Sequence, residues 1–159
     1  MADDATITIT ATILPDEIAK TFSGSMTVTP ADTSEKWYYK LTACTSTSTD
    51  LIAGHFLDYT PVDDDTAPTA VHSADEVRFL FIQNTSSGDG VYINFDGVTM
   101  NHSDASTLVD AVFIGPSQTW FGRLPNTTVA TLHAMSSDIG DVGDATANLI
   151  VAAIIHDVA

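Results

Sequence analysis

The sequence predicts an all-β chain: a single antiparallel β-sandwich or jelly-roll-like domain over residues 1–159. Three observations carry this reading. Segments alternate apolar and polar residues with a period of two, as in TITITATIL at 6–14, the pattern of a half-buried strand. The acids are nearly all Asp, with Glu17, Glu35 and Glu76 the only glutamates; Asp favours turns where Glu favours helix interiors. Thr, whose branched side chain suits a pleated surface, recurs along most of the chain.

The elements follow in order. In 6–14, Ile7, Ile9, Ala11 and Ile13 share one face, the threonines take the other, and Pro15 ends the run. GSMTVTP at 24–30 is a second short strand closed by Pro30. EKWYYKLTACTST at 35–47 alternates again: Trp37, Tyr39, Leu41 and Ala43 against Tyr38, Lys40, Thr42 and Cys44. Residues 45–49 are polar and read as a loop. DLIAGHFLDY at 50–59 reads as a strand bent at Gly54. TPVDDDTAPTAVHSADE at 60–76 is the longest loop, crossing between sheets or projecting outward.

Residues 76–84 hold VRFLFI, apolar at nearly every position, and read as a fully buried strand. The Ser/Gly/Asp loop 85–90 leads to Val91, Ile93 and Phe95 on one face and Tyr92 and Asn94 on the other. The whole stretch reads as a hairpin, with Asp96 and Gly97 as the next turn. In 101–115 one helical turn is expected from Asp104 to Asp110, capped by Ser103 or Asp104, before a strand at 112–114. TWFGRL at 119–124 is a strand entered through Gly115 and Pro116 and left at Pro125. TTVATLHAM at 127–135 alternates, 138–145 is a loop, and NLIVAAIIHDV at 148–158 is apolar on both faces. About nine or ten strands and no long helix fit a sandwich or jelly roll.

Composition excludes several functions. At 159 residues and 44% hydrophobic content, the chain can bury a core as one domain. Five cations, Lys20, Lys36, Lys40, Arg78 and Arg123, face 21 acids, for a net charge of −16. A phosphate backbone is held by several Lys or Arg side chains acting together, so nucleic acid is excluded as a partner. An anionic membrane surface repels such a chain, and no apolar run nears the ~20 residues of a helical span. The acidity keeps copies dispersed. Cys44 is the only cysteine, so an intramolecular disulfide is excluded. MADDATI is acidic where an export signal starts basic. On that expectation the Asn-x-Ser/Thr sites at Asn84, Asn101 and Asn126 carry no glycan.

Candidate chemistry is sparse. His55, His72, His102, His133 and His156 lack the short spacings of a zinc site. Ser117 follows Gly-Pro, without the G-x-S-x-G elbow of a nucleophile. Nothing places two carboxylates across a cleft as glycoside hydrolysis requires. Asp63, Asp64 and Asp65, and Asp138, Asp141 and Asp144, offer oxygen ligands for Ca²⁺; neither group has EF-hand spacing, and turn chemistry accounts for both. Trp37, Tyr38, Tyr39, Trp120 and Phe121 could build a sugar platform. Adjacent strand residues point to opposite faces, however, so at least half of these belong to the core. The expectation is therefore a non-enzymatic chain with no catalytic residue, no cofactor and no metal.

The order FLFIQNTSSGDGVYINFDG, VFIGPSQTWFGRLPNTTVATLHAMSS and ANLIVAAII, over roughly 75–155, resembles small virion proteins of tailed bacteriophages, most closely capsid decoration (cement) proteins. The first half of the chain carries no such likeness. The resemblance implies a homotrimeric knob on a major capsid protein lattice, made in the host cytoplasm and located on the virion surface. It implies no catalytic residues. Residues 1–6 are expected to form a partner-contacting N-terminal arm. Alternatives are a tail, neck or adaptor component of the same particle, or a carbohydrate- or receptor-binding β-sandwich module.

Overall fold

The computed structural model describes residues 5–13, 20–28, 35–57, 69–137 and 146–158. Its contacts divide the chain into two compact units, Met1–Thr33 and Ser34–Ala159, where the sequence reading was one domain over 1–159. Alternation marks each strand but says nothing of which sheet it joins.

The first unit is an antiparallel pair, β1 (Ala5–Ile13) and β2 (Lys20–Val28), which bond in the sheet only with each other. β2 starts four residues before the predicted 24. Thr6, Thr8 and Thr10 are exposed, while Ile7, opposite Met26, is half-buried. Of the expected arm, residues 1–4 lie outside the described residues, and Ala5 and Thr6 open β1.

The second unit is a β-sandwich of eight strands: β3 (Glu35–Cys44), β4 (Thr49–Asp50), β5 (Glu76–Asn84), β6 (Val91–Asn94), β7 (Val112–Ile114), β8 (Thr119–Thr128), β9 (His133–Ser136) and β10 (Ala147–His156). They form two antiparallel four-stranded sheets, ordered β3-β10-β5-β8 and β4-β9-β6-β7. Numbered within the unit, this is 1-8-3-6 against 2-7-4-5, the jelly-roll order. Every connection changes sheets except β6–β7.

That topology corrects the hairpin reading. β5 and β6 belong to different sheets, so the loop 85–90 is an arch across the top of the sandwich. Both apolar runs look at one core from opposite sides. Asn84, fully buried, holds the arch: its amide donates to the carbonyls of Asp89 (2.7 Å) and Gly115 (3.2 Å). Its carbonyl oxygen accepts the Ser86 N–H (3.0 Å).

The core lies between the sheets. Tyr38, Leu80, Ile82, Leu149, Val151, Ala153 and Ile155 face Val91, Ile93, Ile114, Leu132 and Ala134. Cys44 and Ala147 close one end. The Tyr38 hydroxyl donates to the Ala53 carbonyl (3.1 Å) and accepts its N–H (3.2 Å), so its polar tip is satisfied inside the body. This pins the segment after β4 against β3.

Several predicted boundaries shift, each for a local reason. The strand expected over 50–59 shrinks to Thr49–Asp50. The described chain then bends through Gly54 at φ +106°, and Val71 N–H reaches the Gly54 carbonyl (2.8 Å). β8 does not stop at Pro125. Val77 pairs with Thr127 and Phe79 with Arg123, so 124–126 form a bulge on an edge strand, where proline removes no ladder bond. The strand expected over 127–135 breaks at a 3₁₀ turn, Val129–Thr131, where the chain leaves β8's sheet for β9's. The helical turn expected near 104–110 is a 3₁₀ turn, Ala105–Leu108, capped by Asp104, whose carboxylate accepts the Ser106 N–H (3.0 Å).

Candidate functional site

The sheet β3-β10-β5-β8 is apolar on both faces. Its inner face fills the core. Its outer face has three consecutive, largely apolar rows: Leu41, Ile150, Gln83, Thr119; then Tyr39, Ala152, Phe81, Phe121; then Trp37, Ile154, Phe79, Arg123; the next row, Glu35, His156, Glu76 and Thr128, is polar. Nine of the twelve are aliphatic or aromatic, and the acids of this face, Glu35 and Glu76, stand in the flanking row. An antiparallel sheet in a small domain ordinarily turns one polar face to water. Large exposed apolar patches rimmed by polar residues mark contact surfaces.

A β-bulge builds part of this face. Ile154 pairs with Phe79 and Ile155 with Val77, leaving Arg78 as the extra residue. Val77 then joins the core, while Phe79 turns outward two residues later. Without the bulge both would share a face. Arg78, freed from the ladder, pairs with Glu76 (2.7 Å) and approaches Glu35 (3.9 Å).

Cover is uneven across the rows. Ile154 and Phe79 are buried; Ile150, Ala152, Phe81, Phe121 and Trp37 are half-buried. Tyr39 and Leu41, at the β3 edge, are 53% and 61% exposed. Thr119 and Arg123, at the β8 edge, are exposed as well, so the surface is open along both edges and its exposed apolar part is the β3 side.

The aromatic residues singled out from the sequence split between the faces. Trp37, Tyr39 and Phe121 lie outside. Tyr38 lies in the core, and Trp120 packs inward on Phe95 (ring centroids 5.3 Å apart). Phe81 joins the outer aromatics; the continuous run VRFLFI hid which of its phenylalanines faced out.

The polar candidates among the described residues do not converge. Among the described residues no three His, Cys, Asp or Glu side chains are grouped to hold a metal. Asp63, Asp64, Asp65, Asp138, Asp141 and Asp144 lie outside the described residues. His133 stands across from Asp50 (Nδ1 to Oδ1, 3.5 Å). His102 Nε2 contacts the Ser136 carbonyl (2.9 Å). His55 and His72 are exposed, and His156 ends β10. Ser117 occupies the turn that brings Gln118 N–H to the Gly115 carbonyl (3.1 Å), at φ 59°. The Cys44 thiol is buried, and loss of solvation pushes its pKa up to about 12, so the reactive thiolate is suppressed.

One buried acid escaped sequence reading. Asp75 sits at the end of the long loop and is fully buried. Its carboxylate accepts the N–H of His72 (2.7 Å) and of Val158 (3.1 Å). It resembles any other loop aspartate in the sequence; only the returning C-terminal chain gives it a second partner.

Comparison with family models, curated proteins and solved structures finds no match for this chain.

Proposed function

We propose that the chain is a non-enzymatic virion structural protein of a tailed bacteriophage, a homo-oligomer that decorates a capsid and stabilises it by covering apolar protein surface. The observation that carries this reading is the outer sheet face: nine apolar residues in three consecutive rows, two of them exposed and five half-buried, with acid only in the flanking row at Glu35 and Glu76. Such a face gains from burial against another protein at roughly 25 cal/mol per Å² of apolar area. The jelly-roll order and the likeness of 75–155 to decoration proteins support the particular assembly; fold alone does not assign function.

The test is rebinding. Purified chain added to capsids stripped of it should co-sediment to saturation. Phe121→Glu, on the outer face far from β3, should bind at least tenfold more weakly while keeping its circular dichroism spectrum. If the natural chain ignores capsids, the reading fails. Hundreds of copies per particle would separate decoration from a tail, neck or adaptor role, which needs about a dozen; both figures come from the resemblance.

A second reading has its own observation: Trp37, Tyr39, Phe81 and Phe121 share one sheet face, and exposed aromatic rings stack on sugars. A glycan array of the natural chain and Trp37→Ala tests it. Binding lost in the variant favours a carbohydrate module, and a silent array removes it.

A further inference from the structure

We infer that β3 is a docking edge for a second copy of the chain, pairing antiparallel with the partner's β3 about a two-fold axis at Leu41. This rests on the reading of the chain as a self-associating module and names the surface through which it associates.

The backbone decides which groups are free. Trp37 gives its carbonyl to the N–H of Leu57 (2.9 Å), away from β10. The carbonyl of Asn148, opposite Ala43, goes to Thr85 on the β5 side of β10. Odd-numbered residues of β3 therefore turn their N–H and C=O away from β10, and even-numbered ones bond it. β3 ends its sheet, so among the described residues Tyr39, Leu41 and Ala43 present an unpaired ladder.

The window is closed at both ends. Leu57 occupies Trp37. Past β3, Thr45 gives its carbonyl to Ser136 N–H in the other sheet (2.8 Å). What remains is 39–43, centred on Leu41. An antiparallel copy centred there sets Tyr39 against the partner's Ala43, Leu41 against the partner's Leu41, and Lys40 against the partner's Thr42. Each N–H and carbonyl of the three edge residues then finds a partner. No like charges stand opposite each other, which elsewhere destabilises strand pairs.

Charge restricts where a copy of this chain can dock, and this window meets the restriction. Each molecule carries −16, so association must avoid acid. The window contains none, and its single charge, Lys40, is turned to the inner face, where its ammonium donates to the Ala53 carbonyl (3.1 Å). Edges are commonly guarded by charge, proline or cover; beyond Lys40 this one has the exposed side chains Tyr39 and Leu41. The two-fold also lays both outer faces side by side as one continuous surface. A five-residue window buries well under the ~1,600 Å² of a standard interface, so pairing should depend on concentration and strengthen with salt as repulsion is screened. Two-fold closure makes the assembly even-numbered, where the resemblance to decoration proteins implies three.

Cross-linking of the full chain tests the register. In a hydrogen-bonded antiparallel pair opposite Cα atoms lie about 5.5 Å apart, within disulfide reach. Leu41→Cys should therefore give a dimer on a non-reducing gel under mild oxidation. Tyr39→Cys, whose copies would stand about 14 Å apart at ~3.4 Å per residue, should not. Buried Cys44 stays out of both reactions. Leu41→Lys, at an exposed position, should raise the sedimentation dissociation constant at least tenfold with an unchanged melting curve. Larger-than-monomer species with no Leu41→Cys cross-link, or with equal cross-linking at 39, would overturn this interface and leave self-association standing. Monomer at every concentration and salt would overturn both.

Discussion

The carboxylate of Asp75 accepts the backbone N–H of Val158 at 3.1 Å, across 83 residues of chain. With its other oxygen on His72 N–H (2.7 Å), this buried acid ties the end of the long loop to the chain beyond β10. The Asp75 backbone also works: its carbonyl accepts Val129 N–H (2.8 Å) where β8 turns toward β9.

Asp75→Ala should therefore cost about 3–6 kcal/mol, because hydrogen bonds to a charged group contribute ~1.5–3 kcal/mol each and two are lost. Asp75→Asn keeps one acceptor and should cost about half as much. Urea unfolding midpoints at constant m-value measure both. A loss under ~0.5 kcal/mol for the alanine variant would mean that water replaces both bonds.

Asn84 gives a sharper ordering. Its amide group faces carbonyls of Asp89, Ile114 and Gly115 at 2.7, 3.4 and 3.2 Å. Asn84→Asp is nearly the same shape but turns an acceptor toward three acceptors. It should cost more than Asn84→Ala, by at least ~1 kcal/mol, since an unpaired buried charge is costlier than a small cavity. Thermal melts at pH 7 should place natural chain, alanine and aspartate variants in descending order. The reverse order would show that the arch opens without loss.

Gly90 is needed because Phe113 lies on it: a β-carbon there would stand 2.3 Å from two ring atoms. Phe113 is 54% exposed and in contact with Tyr92 (centroids 5.2 Å), so the ring can swing away. Gly90→Ala should then cost about 1–2 kcal/mol, in the range of overpacked sites. In Phe113→Ala the same change should cost under half as much. The double-mutant cycle reads the coupling directly; additivity would disprove the contact.

Cys44 sets an alkaline limit. Burial raises its folded pKa to about 12 from 9.0. The folded chain keeps the proton where the unfolded chain releases it, so this contribution is complete below pH ~9 and declines as pH rises toward 12, by at most ~1.4 kcal/mol per unit. Burial also raises Tyr38 above its ordinary 10.0, which adds loss in the same direction. Unfolding free energies between pH 8 and 11 should fall more steeply in the natural chain than in Cys44→Ala. At pH 8 a thiol reagent should label Cys44 only after denaturant is added.

Most of the architecture was legible along the chain. Period-two alternation located β1 and β3 within a residue or a few, because burying one face of a pleated strand leaves that trace, and the continuous apolar run VRFLFI located β5. Asp104 was readable as a cap because its side chain acts on its own neighbours. The polar candidates were weak on spacing, and the described ones stay dispersed in space.

What the sequence by itself determined was local: all-β class, strand positions, acid-poor and acid-rich stretches, and the two faces of β3. Tertiary structure decided which face of β3 looks outward, that β5 and β6 face each other across a core, and that Asp75 meets Val158. Alternation sorts side chains into two sets, yet either set can point inward until another sheet covers it. Pairing partners lie tens of residues away, and a residue's own neighbours carry no record of them.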